Sequence, residues 1–123
     1  MNYQTELQHA KVVKALAKPG EDILKTLDPG AAALTHMAMG ISGEAGELLD
    51  AVKKHVMYNK ALDIVNVIEE LGDLEFFMEG LRQNLNIKRE QTLEANLSKL
   101  ALRYTNYQYS DQQAQERKDK SAA

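Results

Sequence analysis

Apolar residues recur at steps of three and four along the first half of the chain, a spacing that places them on one face of a helix. The first such stretch covers residues 3 to 17 and ends at Lys18-Pro19-Gly20. After a turn or short helix at residues 21 to 27, Asp28-Pro29 supplies an N-cap and a first helical residue. A second helix is therefore expected to begin there and to extend to about Val56.

The second half of the chain shows the same periodicity. A third helix is expected at about residues 61 to 84, where the apolar row is Ile64, Val67, Leu71, Leu74, Met78, Leu81 and Leu85. A fourth helix is expected at about residues 88 to 104, and residues 105 to 123 are expected to form a polar C-terminal tail with a frayed end. The pattern predicts an all-α fold, and the length of 123 residues predicts a single domain.

Composition and charge exclude several classes of protein. The chain is 44% hydrophobic and 27% charged, without an apolar run long enough to span a membrane, and its start lacks the pattern of a signal peptide. A cytoplasmic protein without a membrane partner is therefore expected. The formal net charge of -3 disfavours binding to duplex nucleic acid. Because there is no cysteine and the three histidines are not clustered, a metal ion here is expected to have oxygen ligands.

Two pairs of acidic residues point to such an ion. Glu44 and Glu47 lie three residues apart in the second helix, and Glu70 and Asp73 lie three apart in the third. Residues at this spacing share one helix face, with Cβ atoms about 5 to 6 Å apart. If a turn at residues 58 to 60 makes the two helices antiparallel, the four carboxylates face one another and suit a hard cation such as Mg²⁺. A solvated acidic face is the alternative.

Two features of the second helix favour the cation site. Glu44 falls within an apolar row, where an ionised acid is costly unless a cation or a donor compensates it. Gly40, Gly43 and Gly46 each cost about 1 kcal/mol relative to alanine inside a helix. They indicate either a helix break near residue 40 or 43, or the close approach of a second helix that lets side chains of both helices meet on one ion.

The fourth helix carries a polar row beside its apolar face. Asn96, Lys99 and Arg103 follow one another at steps of three and four, so they project from one side. Two cations with an amide donor suit a polyanion, and an ordinary solvated face is the alternative.

Three separated blocks of the sequence agree in order and spacing with a known family. They are Gly-Ile-Ser-Gly-Glu44-Ala-Gly-Glu47-Leu-Leu-Asp-Ala-Val-Lys53-Lys54, then Glu69-Glu70-Leu-Gly-Asp73, then Asn96-Leu-Ser-Lys99-Leu-Ala-Leu-Arg103-Tyr104. With E-x-x-E followed at a distance by E-x-x-D, the chain resembles the MazG-like nucleotide pyrophosphohydrolases of the all-α NTP pyrophosphatase superfamily. It departs from many relatives at Phe76-Phe77, where they show Trp-Tyr, and after Tyr104, where they show a proline and then a Gly-Phe.

The resemblance implies a fold and a reaction. The fold is a four-helix bundle-like core assembled as a dimer or tetramer, and the reaction is hydrolysis of a nucleoside triphosphate between the α and β phosphates. It implies Mg²⁺, with Mn²⁺ as a substitute, held by Glu44, Glu47, Glu70 and Asp73. The residues expected to contact phosphate oxygens are Lys53 or Lys54, Lys99 and Arg103, with Asn96 assisting.

The acidic residues also suit this reaction independently of the resemblance. Hydrolysis of a phosphoanhydride needs the charge on the phosphate groups to be neutralised and a water molecule to be positioned for attack. Glu47 is the expected residue to orient or deprotonate that water. Two other hypotheses remain from the sequence. The chain is a non-catalytic helical dimerisation or regulatory module, or it is a related superfamily hydrolase acting on dUTP or phosphoribosyl-ATP.

Overall fold

A computed structural model describes residues 3–120, and every regular element in that range is helical. The six α-helices are α1 Tyr3–Leu16, α2 Gly20–Leu24, α3 Pro29–Tyr58, α4 Ile64–Asn84, α5 Arg89–Arg103 and α6 Asp111–Glu116. Short 3-10 helices cover Thr105–Tyr107 and Lys118–Lys120. The all-α prediction is confirmed, whereas the four-helix bundle-like core stays a prediction. Over the same range, none of the helices has both the length and the apolar character needed to cross a membrane.

The contacts divide the chain into two compact units, one up to His36 and the other from Met37 onward. The first unit contains α1, α2 and the beginning of α3. The side chain of Asp28 accepts a hydrogen bond from the amide of Ala31 at 2.8 Å, so it caps α3 as predicted. The single-domain organisation stays a prediction.

The second unit begins within α3, which is continuous from Pro29 to Tyr58. A break at its glycines, one of the two alternatives above, is therefore wrong. Asn59 has a φ of 50° and ends the helix, as the turn prediction required. Asp63 accepts a hydrogen bond from the amide of Asn66 at 3.0 Å, and this cap starts α4 at Ile64, a few residues later than expected.

Two reciprocal contacts hold α3 against α4. A Cβ on Gly40 would collide with the ring of Phe77, and a Cβ on Gly80 would collide with the sulfur of Met37. Each helix therefore has a glycine that receives a large side chain of the other helix. A Cβ on Gly43 or Gly46 would meet nothing within 4 Å. Close helix approach, the second alternative for the glycines, is confirmed at Gly40.

The inward faces of the two helices are seen from the burial of their side chains. On α3 the predicted row is half-buried or buried from Met37 through Ile41, Glu44 and Leu48 to Ala51, whereas His55, its last predicted member, is exposed. On α4 the half-buried residues include Val67, Glu70, Leu74, Phe77 and Leu81. Four residues that the sequence placed in the apolar row remain exposed: Ile64 (56%), Leu71 (48%), Met78 (38%) and Leu85 (48%). That part of the prediction is wrong, because seating Phe77 against Gly40 turns the acidic flank of α4 inward.

The C-terminal segment, defined here as residues 105–120, is folded where the sequence predicted only a polar tail. Its elements pack against α5, and its last described turn returns to the end of that helix. The frayed end predicted for the chain falls on residues 121–123, which lie outside the described residues.

Candidate metal centre

The register of α3 and α4 places the acidic pairs opposite each other. From the contact of Gly40 with Phe77, a step of four residues leads forward to Glu44 on α3 and back to Asp73 on α4. A further step of three reaches the second member of each pair. The two helices therefore run antiparallel, and the glycine contact that draws them together lies one helical turn from the acids.

Three of the four predicted ligands converge. Carboxylate oxygens of Glu44, Glu70 and Asp73 all lie within 4.8 Å of one another. Glu44 and Glu70 are half-buried and Asp73 is exposed, so the cluster opens to solvent on one side. Carboxylates this close repel one another when all are ionised, and a proton or a cation must compensate them.

The Glu70 carboxyl shows the consequence most clearly. The hydrogen bond that protonated Glu70 donates to Glu44 and partial removal from water, with the negative charges of Glu44, Glu47 and Asp73, raise the pKa of Glu70 to about 7. Two carboxyl groups can share a hydrogen bond only if one of them carries a proton. The metal-free cluster therefore holds a proton near neutral pH.

One atom of this cluster is left unsatisfied. Glu70 Oε2 is buried and has no hydrogen-bond partner among residues 3–120. Buried polar atoms in folded proteins are nearly always partnered, and a bound ion is one of the recognised reasons for an exception. A hard divalent cation fits this donor set, because the three residues offer only carboxylate oxygens and an open side for water.

Glu47 lies outside the cluster of three. Its side chain is exposed, yet it is close enough for its charge to contribute to the raised pKa of Glu70. The structure thus separates the predicted quartet into three convergent carboxylates and one neighbouring acid.

The lysines after the first acidic pair are both exposed on α3. Lys54 forms an ion pair with Asp50 at 2.9 Å, and this hydrogen bond raises the pKa of Lys54. Such an exposed pair contributes little to stability and can be broken at small cost. Lys53 is exposed and forms no ion pair within residues 3–120, so it is the more available of the two for an incoming anion.

The predicted phosphate ligands of α5 are not brought to the acids. Asn96 is exposed and Lys99 is half-buried. Within the part of the chain that the structure describes, no hydrogen bond or ion pair joins either of them, or Arg103, to the cluster. The Arg103 guanidinium instead binds the carboxylate of Asp119 through two hydrogen bonds of 2.8 and 3.0 Å.

Two residues that make contacts in this unit, one in the packing of α3 on α4 and one in the ion pair of Arg103, were not predicted from the sequence. Gly80 receives the side chain of Met37, and a glycine inside a helix, four residues before its end, is the sequence feature that indicates such a close contact. Asp119 lies in a segment without apolar periodicity, so no pattern indicated its pairing with Arg103. Comparisons of the chain with protein-family models, curated proteins and solved structures find no match, so the chemistry of the site rests on its own residues.

Proposed function

We propose that the protein is a Mg²⁺-dependent nucleoside triphosphate pyrophosphohydrolase of the MazG-like type. It would cleave an NTP or dNTP between the α and β phosphates and release a nucleoside monophosphate and pyrophosphate. The observation that carries this proposal is the convergence of Glu44, Glu70 and Asp73 from two helices, with Glu70 Oε2 buried and unpartnered. A solvated acidic face, the alternative for these residues, would leave each carboxylate oxygen in water.

Each acid has a distinct role in this proposal. Glu44, Glu70 and Asp73 would hold the cation, which when bound neutralises charge on the phosphate oxygens. Glu70 must lose its proton to act as a ligand, because its pKa lies near 7 without metal. Glu47, exposed at the edge of the cluster, orients a water molecule and accepts its proton.

The bond changes follow from this arrangement. The water oxygen forms a bond to the α phosphorus while the bond from that phosphorus to the α,β-bridging oxygen breaks. The pyrophosphate leaves with the electron pair, and the proton passes to Glu47. Lys53, Lys99 and Arg103, with Asn96, are the residues proposed to balance the charge of the triphosphate.

Product identification tests the reaction directly. The protein is incubated with a panel of ribo- and deoxynucleoside triphosphates in H₂¹⁸O, with Mg²⁺ or with EDTA, and products are resolved by ³¹P NMR. We expect Mg²⁺-dependent release of pyrophosphate, with ¹⁸O in the monophosphate. Orthophosphate release, or turnover in EDTA, would contradict the proposal. A panel including dUTP and phosphoribosyl-ATP separates the related hydrolases.

A matched pair of variants ties the activity to the cluster. Glu70→Gln removes one ligand and keeps the size of the side chain, so hydrolysis should fall to background. Glu69→Gln makes the same change at the adjacent exposed position and should keep wild-type activity. Equal activity in the two variants would remove Glu70 from the site.

A second candidate function, a helical dimerisation module, is favoured by a different observation. Many large apolar side chains of α3 and α4 are exposed, among them Leu49, Val56, Ile64, Val65 and Ile68. A module of this kind predicts self-association without nucleotide turnover or a response to Mg²⁺. The same nucleotide panel therefore decides between the two functions.

A further inference from the structure

The C-terminal segment brings a carboxylate to the end of α5. Arg103 donates from Nε to Asp119 Oδ1 at 2.8 Å and from an Nη nitrogen to Asp119 Oδ2 at 3.0 Å. The two side chains are 17% and 2% exposed, so this is the most enclosed ion pair of the second unit that joins residues distant in sequence. Arg117 adds a second guanidinium 3.8 Å from Asp119 Oδ2.

This geometry is the one that arginine uses for phosphate. Two parallel N–H groups of a guanidinium match two oxygens of a carboxylate or of a phosphate group equally well. The hydrogen bonds from Arg103 lower the pKa of Asp119 to about 2, and the pKa of Arg103 is raised by the same contact. Both groups are therefore charged at neutral pH, and the anion position of Arg103 is filled by the chain itself.

The C-terminal segment is held near the end of α5 mainly by polar contacts. Gln113 exchanges two hydrogen bonds with Thr105, through its side-chain amide, at 2.8 and 3.3 Å. The Ser110 hydroxyl caps α6 by accepting a hydrogen bond from the backbone amide of Gln113 at 3.0 Å. These bonds exchange readily with water, and apart from the enclosed Asp119 side chain the segment consists of half-buried and exposed residues.

The backbone of the segment is also bent at three points. Asn106, Tyr107 and Arg117 have φ values of 54°, 54° and 52°, in the left-handed region that side chains other than glycine and asparagine avoid. Strain of this kind persists only while surrounding contacts maintain it. Displacing Asp119 from Arg103 would remove one of those contacts and favour release of the segment.

We propose that Asp119 is an internal competitor for the anion site of Arg103, so that the C-terminal segment must leave Arg103 before that residue binds a phosphate group. This proposal rests on the proposed function for the identity of the anion, a phosphate of a nucleoside triphosphate. The segment is then an autoinhibitory element that substrate displaces. Its net effect is to weaken the binding of phosphate groups.

Binding of inorganic pyrophosphate to the full chain tests the competition without requiring turnover. The affinity is measured by calorimetry for the wild type and for Asp119→Asn, in which the competing charge is removed. We expect Asp119→Asn to bind pyrophosphate more tightly by on the order of tenfold, the range of one charge-assisted hydrogen bond. Asp111→Asn is the matched control, since it removes the same charge from the segment at a residue that pairs with Tyr109 and not with Arg103.

A second measurement reports the movement itself. In ¹⁵N-labelled wild-type protein, pyrophosphate should shift the Arg103 Nε resonance and move the amides of residues 118–120 to unfolded positions. Arg103→Gln combined with Asp119→Asn should abolish the gain in affinity. A purely structural ion pair predicts the opposite: pyrophosphate leaves these amides in place, and Asp119→Asn binds it no better than the wild type or than Asp111→Asn.

The outcomes separate this proposal from the proposed function. Tighter pyrophosphate binding by Asp119→Asn in a protein without hydrolytic activity would support the competition and contradict the enzyme. Hydrolysis with unchanged pyrophosphate affinity in Asp119→Asn would support the enzyme and overturn the competition. Absence of pyrophosphate binding in both proteins would overturn the competition as well, because Arg103 would then bind no external anion with which Asp119 could compete.

Discussion

At the scale of single residues, Glu70 couples the candidate site to stability. Its pKa of about 7 in the folded chain lies above the ordinary value of 4.5. Between these two pH values the folded state binds more protons than the unfolded state, so the stability from this residue falls as pH rises. It is fully retained below about pH 4.5 and is lost by about pH 7 and above.

This sign gives a prediction for the metal-free protein. Glu70→Gln imitates the protonated acid at every pH, so at pH 8 in EDTA it should melt at a higher temperature than the wild type. At pH 4 the two proteins should melt together, because Glu70 is then protonated anyway. Thermal unfolding by circular dichroism across pH 4 to 8 measures the difference, with Glu69→Gln as the control. A gap that does not change with pH would show that Glu70 has an ordinary pKa.

Binding of Mg²⁺ should stabilise the folded wild-type protein, and this effect should depend on Glu70. A ligand that binds only the folded state raises the melting temperature, by an amount that grows with the logarithm of its concentration relative to its dissociation constant. Mg²⁺ at constant ionic strength should therefore raise the midpoint of the wild type and of Glu69→Gln, and raise that of Glu70→Gln much less. Equal responses of all three proteins would mean that Glu70 is no ligand.

Individual site residues were predictable to different degrees. The convergence of Glu44, Glu70 and Asp73 was predictable because helical spacing and an antiparallel turn fix which side chains meet. Glu47 shares that spacing, yet its side chain remains outside the cluster, since face alone does not fix a rotamer. The partner of Arg103 was not predictable, because a contact across sixteen positions in a polar segment has no periodic signature.

At the scale of helices, the seam of α3 and α4 depends on a glycine that accepts an aromatic ring. Gly40 receives Phe77, and this contact fixes the rotation of α4 about its axis. The start of α3 was predictable from Asp28, since capping is a local interaction. The rotation of α4 was not, because α4 carries apolar side chains on more than one face and only packing selects between them.

Two glycine variants of α3 should therefore have opposite effects. Gly43→Ala gains helix propensity without a collision and should stabilise the protein by up to about 1 kcal/mol. Gly40→Ala places a methyl group into the Phe77 ring and should destabilise it by about 1 to 3 kcal/mol, the usual cost of overpacking. Urea unfolding of both variants measures the free energies. Stabilisation by Gly40→Ala would show that the two helices do not approach closely at this point.

At the scale of the whole molecule, the second unit buries little by itself. Among the residues that the structure describes, only Ala51 and Arg82 are buried, and they remain 8% and 7% exposed. Leu49, Val52 and Val56 form an exposed stripe on α3, and Ile64, Ile68 and Leu71 form another on α4. Apolar patches of this extent on a single chain are typical of protein interfaces. The sequence indicated the apolar residues, but the division between inner and outer faces required the packed pair of helices.

The exposed stripes lead to the prediction that the chain self-associates. Light scattering coupled to size exclusion should give at least twice the 13.8 kDa of one chain at micromolar concentration. Ile68→Glu introduces a charge at the centre of the α4 stripe, where the native side chain is 63% exposed, and should shift the protein toward smaller species. Leu102→Glu on α5 changes a residue that is 66% exposed outside both stripes and should keep the wild-type mass.

A single 13.8 kDa species for the wild type would contradict self-association. Equal dissociation by both variants would show that the interface is not formed by the stripes of α3 and α4.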